Sequence, residues 1–165
     1  MIGNLGKLAK KLPYHGSGLL FASNGSGSWR VLLFQRAIRP RRGVWSIVGG
    51  RCKPGETYIQ AAVRGASEEI CGRLPMLERF HGVLPEGFVI EQAKEHIQYG
   101  IPFVFGWRTS LIELTREIPT DHLELNWENH AARWFGVREL PRETHFGVLC
   151  SLRHFGLSQR NGGIP

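Results

Sequence analysis

The sequence has no long apolar run, few cysteines and no internal repeat. No stretch approaches the ~18 apolar residues that a membrane-spanning helix requires, so we expect no membrane span. The three cysteines, Cys52, Cys71 and Cys150, are odd in number and show no C-x-x-C spacing. This pattern argues against a disulfide framework and against a zinc site. Because it fits a reducing compartment, we expect a cytoplasmic location.

What is present is the composition of an ordinary globular domain. The chain has 165 residues, of which 42% are hydrophobic and 21% charged, enough for one domain with a buried core. The formal charge of +7 favours anionic partners. No basic region with interleaved aromatic residues stands out, so we expect a small phosphorylated ligand rather than a nucleic acid. A homodimer is compatible with these features, and the oligomeric state stays open.

The stretch from Gly50 to Gly72, GRCKPGETYIQAAVRGASEEICG, carries the clearest chemical pattern. The glycine pair before it and the run at 53–55 (Lys-Pro-Gly) predict a loop or turn. From Glu56 onward the residues predict a helix of about sixteen residues, with Thr57 as a candidate cap. A glycine-rich turn followed by a helix allows backbone groups to approach a ligand closely.

The second half of this helix carries charged residues at a spacing that suits metal chemistry. Arg64 and Glu68 lie four residues apart and share a helix face, and Glu69 is adjacent. Two interpretations are open from spacing alone. Adjacent glutamates are commonly a solvent-exposed face. They also suit Mg²⁺, which prefers oxygen ligands and often shares them with substrate phosphates.

This stretch resembles the signature of the Nudix hydrolases, G-x5-E-x7-R-E-U-x-E-E-x-G-U, in which U is aliphatic. Two positions depart from it: Gly65 replaces the first helix glutamate, and Cys71 replaces the late glycine. The first departure removes one carboxylate from the expected cation site. The positions that agree are Gly50, Glu56, Arg64, Ala66, Glu68 and Glu69.

The resemblance implies a site for Mg²⁺, with Mn²⁺ as an alternative, built from Glu68, Glu69 and the carbonyl of Gly50. Glu128 lies six residues before Trp134 and matches a glutamate that the family places outside the signature, as a metal ligand or base. We therefore expect the side chains of Glu68, Glu69 and Glu128 to converge beside Gly50. The catalytic set is then Arg64, Glu68, Glu69 and Glu128, and the metal set is Gly50, Glu68, Glu69 and Glu128.

Three further residues are assigned to substrate binding: Arg36, Arg51 and Glu56. By the resemblance, Glu56 pairs with Arg64 and ties the loop to the helix. Arg36 and Arg51 are candidate phosphate contacts, because a guanidinium group matches a phosphate through two hydrogen bonds. The arginines at 39, 41 and 42 are interpreted as a solvent-exposed loop.

The order of elements predicts an α/β fold of mixed type, and the resemblance implies a Nudix α/β/α sandwich with a mixed sheet. We expect an N-terminal extension at 1–14, a Nudix hydrolase domain at 15–155 and a flexible tail at 156–165. Two apolar runs around a Gly/Ser/Asn turn predict a hairpin. The expected strands are 17–23, 29–34, 76–89, 99–111 and 131–135. A loop or helical turn is expected at 91–96, a helical start at 137–140 and a helix at 145–155.

Three functions are compatible with these features. The first is a Mg²⁺-dependent hydrolase that cleaves the P–O–P bond of a nucleoside diphosphate linked to another moiety. The second is a nucleotide-sugar hydrolase of the GDP-mannose type, which cleaves a C–O bond; that reaction uses a histidine where this chain has Asn129. The third is a non-catalytic nucleotide-binding domain, suggested by Gly65. The substrate itself is not specified by the sequence.

Overall fold

The computed structural model describes residues 14–70, 93–101 and 104–158. The strand expected at 76–89, nearly all of the expected N-terminal extension and the last seven residues lie outside these ranges. In the described ranges, neither helix has the length and apolar character needed to cross a membrane.

Within the described ranges, seven strands form one mixed sheet. The central strand, β1, pairs parallel with β6 and antiparallel with β2 and β4. Strand β5 is antiparallel to β6, and β3 and β7 are antiparallel to β2. The strands are β1 (Tyr14–Ser23), β2 (Arg30–Arg36), β3 (Trp45–Ser46), β4 (Val48–Arg51), β5 (Ala93–Ile101), β6 (Phe105–Leu114) and β7 (Asn129–Gly136).

Two helices cover the sheet, α1 (Tyr58–Ile70) on one face and α2 (Phe146–His154) on the other. Successive side chains of a strand point to opposite faces. Accordingly Leu19 of β1 lies in the core beneath α1, and Leu20 lies in the core beneath α2. This arrangement confirms the α/β/α sandwich expected from the sequence.

Helix α1 begins with a reciprocal cap. The Thr57 hydroxyl accepts from the backbone N–H of Gln60 at 3.3 Å, and the Gln60 side-chain carbonyl accepts from the N–H of Thr57 at 2.8 Å. Both bonds satisfy backbone donors that the first helical turn leaves unpaired. Thr57 is therefore confirmed as the cap, and the helix starts two residues after Glu56.

The two halves of β1 pair with different strands on the same edge. The segment Gly16–Leu19 pairs with β4, whereas Phe21–Ser23 pairs with β2. The other edge of β1 is occupied along its whole length by β6. Strands β2 and β4 therefore diverge, and a cleft opens between them.

Several sequence expectations are corrected by the sheet. The glycine pair 49–50 was expected in a loop, but it lies in β4 and pairs with Ser17 and Gly18. The single strand expected at 99–111 is two strands, β5 and β6. The polar segment expected as a loop at 91–96 is strand from Ala93 onward. In the described sheet β5 is the last strand in order, a position where polar residues are tolerated.

The C-terminal part of the domain differs from expectation at two points. Residues 137–140 form a turn rather than the start of a helix, with the N–H of Glu139 donating to the carbonyl of Gly136. Leu157 was expected in a flexible tail but is buried beneath α2. Gly156 has φ of +71° and ends α2, so that the N–H of Leu157 bonds back to the carbonyl of Leu152.

Candidate active site

Arg64 joins the loop after β4 to helix α1. Its Nε and Nη2 donate to the two carboxylate oxygens of Glu56 at 2.7 and 2.9 Å, and Nη2 also donates to the Arg51 carbonyl at 2.7 Å. The ion pair expected between Arg64 and Glu56 is therefore present. Its hydrogen bonds raise the pKa of Arg64 and lower the pKa of Glu56.

Glu56 braces this loop and does not line the cleft. One of its oxygens accepts from Arg64 alone, and the other also accepts from the backbone N–H of Lys53 at 2.8 Å. A direct contact between Glu56 and substrate is not supported by this geometry. Its position explains instead how the turn at 53–55 is held against α1.

Glu69 is buried, with 6% of its surface exposed, and it is held from two sides. One carboxylate oxygen accepts from the N–H of Gly49 at 2.8 Å, and the other accepts from the side-chain amide of Asn129. Burial above all, together with the charge of Glu128, raises the pKa of Glu69 to about 7. The two hydrogen bonds and the charge of Arg36 act in the opposite direction.

The loop before β7 positions Glu128 beside this carboxylate. The N–H of Asn126 donates to the carbonyl of Glu69 at 3.0 Å, and the Asn126 side chain accepts from the N–H of Glu128 at 2.9 Å. The Glu128 carbonyl in turn accepts from the N–H of Ala37 at 2.7 Å. Three hydrogen bonds thus fix Glu128 between the end of α1 and the end of β2.

Gly65 explains how helix α1 approaches the sheet so closely. A Cβ atom added at Gly65 would lie 2.3 Å from the carbonyl carbon of Gly49 and 2.5 Å from the nitrogen of Gly50. No side chain fits there without movement of the backbone. The position at which the Nudix signature has a glutamate is therefore filled in this chain by the backbone of β4.

A cleft of about 570 Å³ collects the expected site residues. It opens where β2 and β4 diverge, and the N-terminus of α2 forms part of its wall. Every residue assigned to the site from the sequence lines it except Glu56. Those lining residues are Arg36, Gly50, Arg51, Arg64, Glu68, Glu69 and Glu128.

The further lining residues that the sequence did not assign to the site include two aromatic rings, one guanidinium group and one imidazole: Tyr14, Trp107, Arg41 and His145. Arg41 was assigned to a solvent-exposed loop, and Tyr14 to the N-terminal extension. Burial and the charges of Arg41 and Arg36 lower the pKa of His145. These residues come from distant parts of the chain, so no local spacing marks them as neighbours.

The donor groups of the cleft fit a cation that is shared with substrate. In the described ranges, no three His, Cys, Asp or Glu side chains form a group able to hold a metal ion by themselves. Glu68, Glu69 and Glu128 all line the cleft, and their convergence on one cation stays a prediction. Glu68 is drawn to Arg64, whose Nη1 donates to it at 3.2 Å. Mg²⁺ commonly needs only one or two carboxylates plus phosphate oxygens, and Glu69 and Glu128 supply two interacting carboxylates.

Comparison with protein families and curated proteins gives two matches. The model of the NUDIX domain matches residues 13–151. The mouse protein 8-oxo-dGDP phosphatase NUDT18 is 29% identical over 99 residues, which are 59% of this chain and 27% of that protein. The chain thus spans about a quarter of the length of this relative.

Solved structures share the fold at low sequence identity. A Nudix hydrolase from M. smegmatis, RenU, superimposes with a TM-score of 0.64 and 23% identity, over 87% of this chain and 83% of that one. A bifunctional NMN adenylyltransferase/ADP ribose pyrophosphatase from Francisella tularensis, complexed with AMP and a Mn ion, gives a TM-score of 0.60 and 17% identity. That match covers 92% of this chain and 45% of the other.

Proposed function

The chain belongs to the NUDIX domain family, and on that premise we propose that it is a divalent-cation-dependent hydrolase of nucleoside diphosphates linked to another moiety. The bond cleaved is a P–O–P bond. The observation that carries the proposal is the cleft, in which carboxylates and guanidinium groups face one space. Carboxylates suit a hard cation, and guanidinium groups suit phosphate oxygens.

The names of two similar proteins support this substrate class. The mouse relative is an 8-oxo-dGDP phosphatase, and the Francisella protein is in part an ADP ribose pyrophosphatase. Both names describe action on nucleoside diphosphates, and the second structure contains AMP and a Mn ion. Since this chain spans only part of either protein, the substrate class is part of the proposal.

The chain's own residues divide into two roles, holding the cation and orienting the phosphates. Glu69 and Glu128 hold Mg²⁺ or Mn²⁺ together with the Gly50 carbonyl, and Glu68 lies beside them in the cleft. A cation held there would neutralise phosphate charge and make water a better nucleophile. Arg36 and Arg51 donate hydrogen bonds to phosphate oxygens and orient the bond to be cleaved.

Glu69 is suited to its role because its orientation is set before substrate arrives. The N–H of Gly49 and the amide of Asn129 each use one lone pair of its oxygens. Further lone pairs on the same oxygens stay available for a cation. Glu128 is less tightly enclosed, and as a base its carboxylate accepts the proton of the attacking water.

Removing the carboxylate charge without changing its shape tests the proposal. We expect Glu69→Gln and Glu128→Gln each to lower cation-dependent turnover about 100-fold or more, because a metal ligand is lost. Glu124→Gln, at an exposed glutamate four residues before Glu128, is the matched control and should leave turnover unchanged. The assay measures released phosphate, pyrophosphate or nucleoside monophosphate with Mg²⁺, with Mn²⁺ and with EDTA.

The substrate panel for this assay contains nucleoside diphosphates that end in a free phosphate, a sugar or a second nucleoside. Wild-type turnover that persists in EDTA, or that survives both substitutions, would contradict the metal assignment. A protein that binds nucleotides but releases no product from any of them would be the non-catalytic domain.

The C–O cleavage alternative is disfavoured by Asn129. This residue is 5% exposed, and its amide is bonded to Glu69, so it cannot act as the base that this reaction takes from a histidine. His130, the next residue, is exposed and does not line the cleft. In ¹⁸O-labelled water we expect the label in the phosphate product. Label in a sugar product would support C–O cleavage instead.

A further inference from the structure

One end of the cleft is aromatic. Tyr14, the first residue of β1, and Trp107 of β6 both line it. A Cβ atom added at Gly16 would lie 2.6 Å from the Trp107 ring and 3.0 Å from the Tyr14 ring. Both rings therefore lie beside one glycine, on the same face of β1, and Gly16 provides the space that they occupy.

Each ring is held in place by a neighbour outside the cleft. Tyr14 stacks on Phe105, with ring centres 5.7 Å apart and planes 19° from parallel. The indole N–H of Trp107 donates to the hydroxyl of Thr109 at 3.2 Å. Both aromatic residues are half-buried, so part of their surface stays accessible from the cleft. A fixed, partly exposed aromatic surface suits a flat ligand ring, because little conformational entropy is lost on stacking.

A cation lies at this aromatic end of the cleft. Arg51 pairs with Gly16 across the β1–β4 ladder, and its guanidinium group lies 5.6 Å from the centre of the Tyr14 ring. An anionic group bound at Arg51 would therefore lie beside an aromatic surface, in the same cleft that Glu69 lines. A nucleotide has this order of groups: base, sugar, phosphate.

The strand register gives the spacing along β1 between the two aromatic rings and the position at which Glu69 is bonded. Glu69 is bonded to the N–H of Gly49, which pairs with Gly18 of β1. Gly16, beneath the Trp107 ring, is two residues from Gly18, and Tyr14 is four residues away. At about 3.3 Å per residue, these positions lie roughly 7 and 13 Å along β1 from the Glu69 anchor. Measured along β1 alone, this separation is comparable with the length of a sugar and one phosphate group.

We propose that Tyr14 and Trp107 form the subsite for the nucleobase, with the phosphates directed past Arg51 towards Glu69. This inference rests on the proposed function for the identity of the ligand as a nucleotide. It assigns these two rings to recognition of the base and gives the direction in which the substrate lies along the cleft.

The test compares ligands that differ only by the base. The probes are AMP, GMP, CMP and UMP against ribose 5-phosphate, none of which contains a P–O–P bond that the enzyme would cleave. Isothermal titration calorimetry on the full chain should show at least one nucleotide binding about 10-fold or more tightly than ribose 5-phosphate, because base stacking contributes strongly.

Substitutions at Trp107 then test whether its ring causes the preference for a nucleotide over ribose 5-phosphate. Trp107→Leu should weaken the preferred nucleotide about 10-fold or more and leave ribose 5-phosphate unchanged, while Trp107→Phe, which keeps a ring, should retain most of the preference. Trp127→Leu is the matched control, since Trp127 is 73% exposed and does not line the cleft. If thermal unfolding shows that Trp107→Leu is not folded, Tyr14→Leu takes its place.

Three results would overturn the inference: no nucleotide preferred over ribose 5-phosphate, equal losses for both ligands in Trp107→Leu, or the same loss in Trp127→Leu. Failure of the proposed function has a different signature. A wild-type protein that shows the base preference and its loss in Trp107→Leu, yet hydrolyses nothing in the panel, would refute hydrolysis and leave the base subsite intact.

Discussion

At the scale of single residues, Glu69 is the group whose chemistry is changed most clearly by its surroundings. Two hydrogen bonds orient its carboxylate, while burial and the nearby charge of Glu128 raise its pKa to about 7. Without a bound cation, the folded protein therefore holds a proton on Glu69 more firmly than the unfolded chain does. The cost of ionising this residue should appear in the stability of the protein.

We expect this carboxylate to make the protein less stable as pH rises in EDTA. The folded-state pKa is above the ordinary value of 4.5, so the stabilising effect is complete below about pH 4.5 and is lost as pH rises through about 7. The free energy of unfolding should fall by about 3 kcal/mol over the whole range, at 1.36 kcal/mol per pKa unit. Urea unfolding of wild type and Glu69→Gln at pH 5 and pH 8 measures it.

Glu69→Gln is the control for wild type, because glutamine has nearly the same shape as glutamate and does not titrate. Wild type should lose more unfolding free energy than Glu69→Gln between the two pH values. Parallel curves for the two proteins would show that Glu69 ionises normally in the folded state.

At the scale of elements, the packing of α1 on β4 shapes the site. The helix can lie against the strand because Gly65 faces the backbone of Gly49 and Gly50. The same contact excludes the glutamate that the signature has at this position. The missing carboxylate is thus linked to this packing, because a glutamate at position 65 would require α1 or β4 to move.

We expect Gly65→Ala to destabilise the protein by about 1–3 kcal/mol. Overpacking against the β4 backbone outweighs the roughly 1 kcal/mol that alanine gains in a helix. Gly136→Ala is the matched control, since a Cβ atom there would lie 3.6 Å from its nearest neighbour. Chemical denaturation measures both. A Gly65→Ala protein as stable as wild type would show that α1 moves away from β4 without cost.

At the scale of the whole molecule, charge and topology act together. The chain carries a formal charge of +7, and the cleft contains Arg36, Arg41, Arg51 and Lys53. A phosphorylated substrate is therefore attracted by the overall field and by the local side chains. Such attraction is screened by salt, whereas the chemical step inside the cleft is screened much less.

We expect the KM for the substrate found in the panel to rise several-fold between about 50 and about 500 mM NaCl, with kcat changing less than about 2-fold. Arg41→Gln should reduce this dependence because it removes one cleft charge. Arg138→Gln, an exposed arginine outside the cleft, is the control. A kcat that falls with salt while KM stays constant would contradict electrostatic attraction as the cause.

The sequence by itself determined the family signature and the Thr57 cap, because both depend on residues close in the chain. The Arg64–Glu56 pair and the α/β/α sandwich followed from the resemblance that this signature carries. Expectations failed where pairing or burial, and not the local residue pattern, decides structure: β4 pairs with β1, β5 pairs with β6, and Leu157 is buried in the core beneath α2.

Only the tertiary structure decided how the site is composed. It placed Asn129 beside Glu69 and brought Tyr14 together with Trp107. These contacts arise because β1 pairs with β4, β2 and β6 at once, which joins segments nearly a hundred residues apart. Local periodicity carries no information about such pairings, since they depend on which strands share the hydrogen bonds of one sheet.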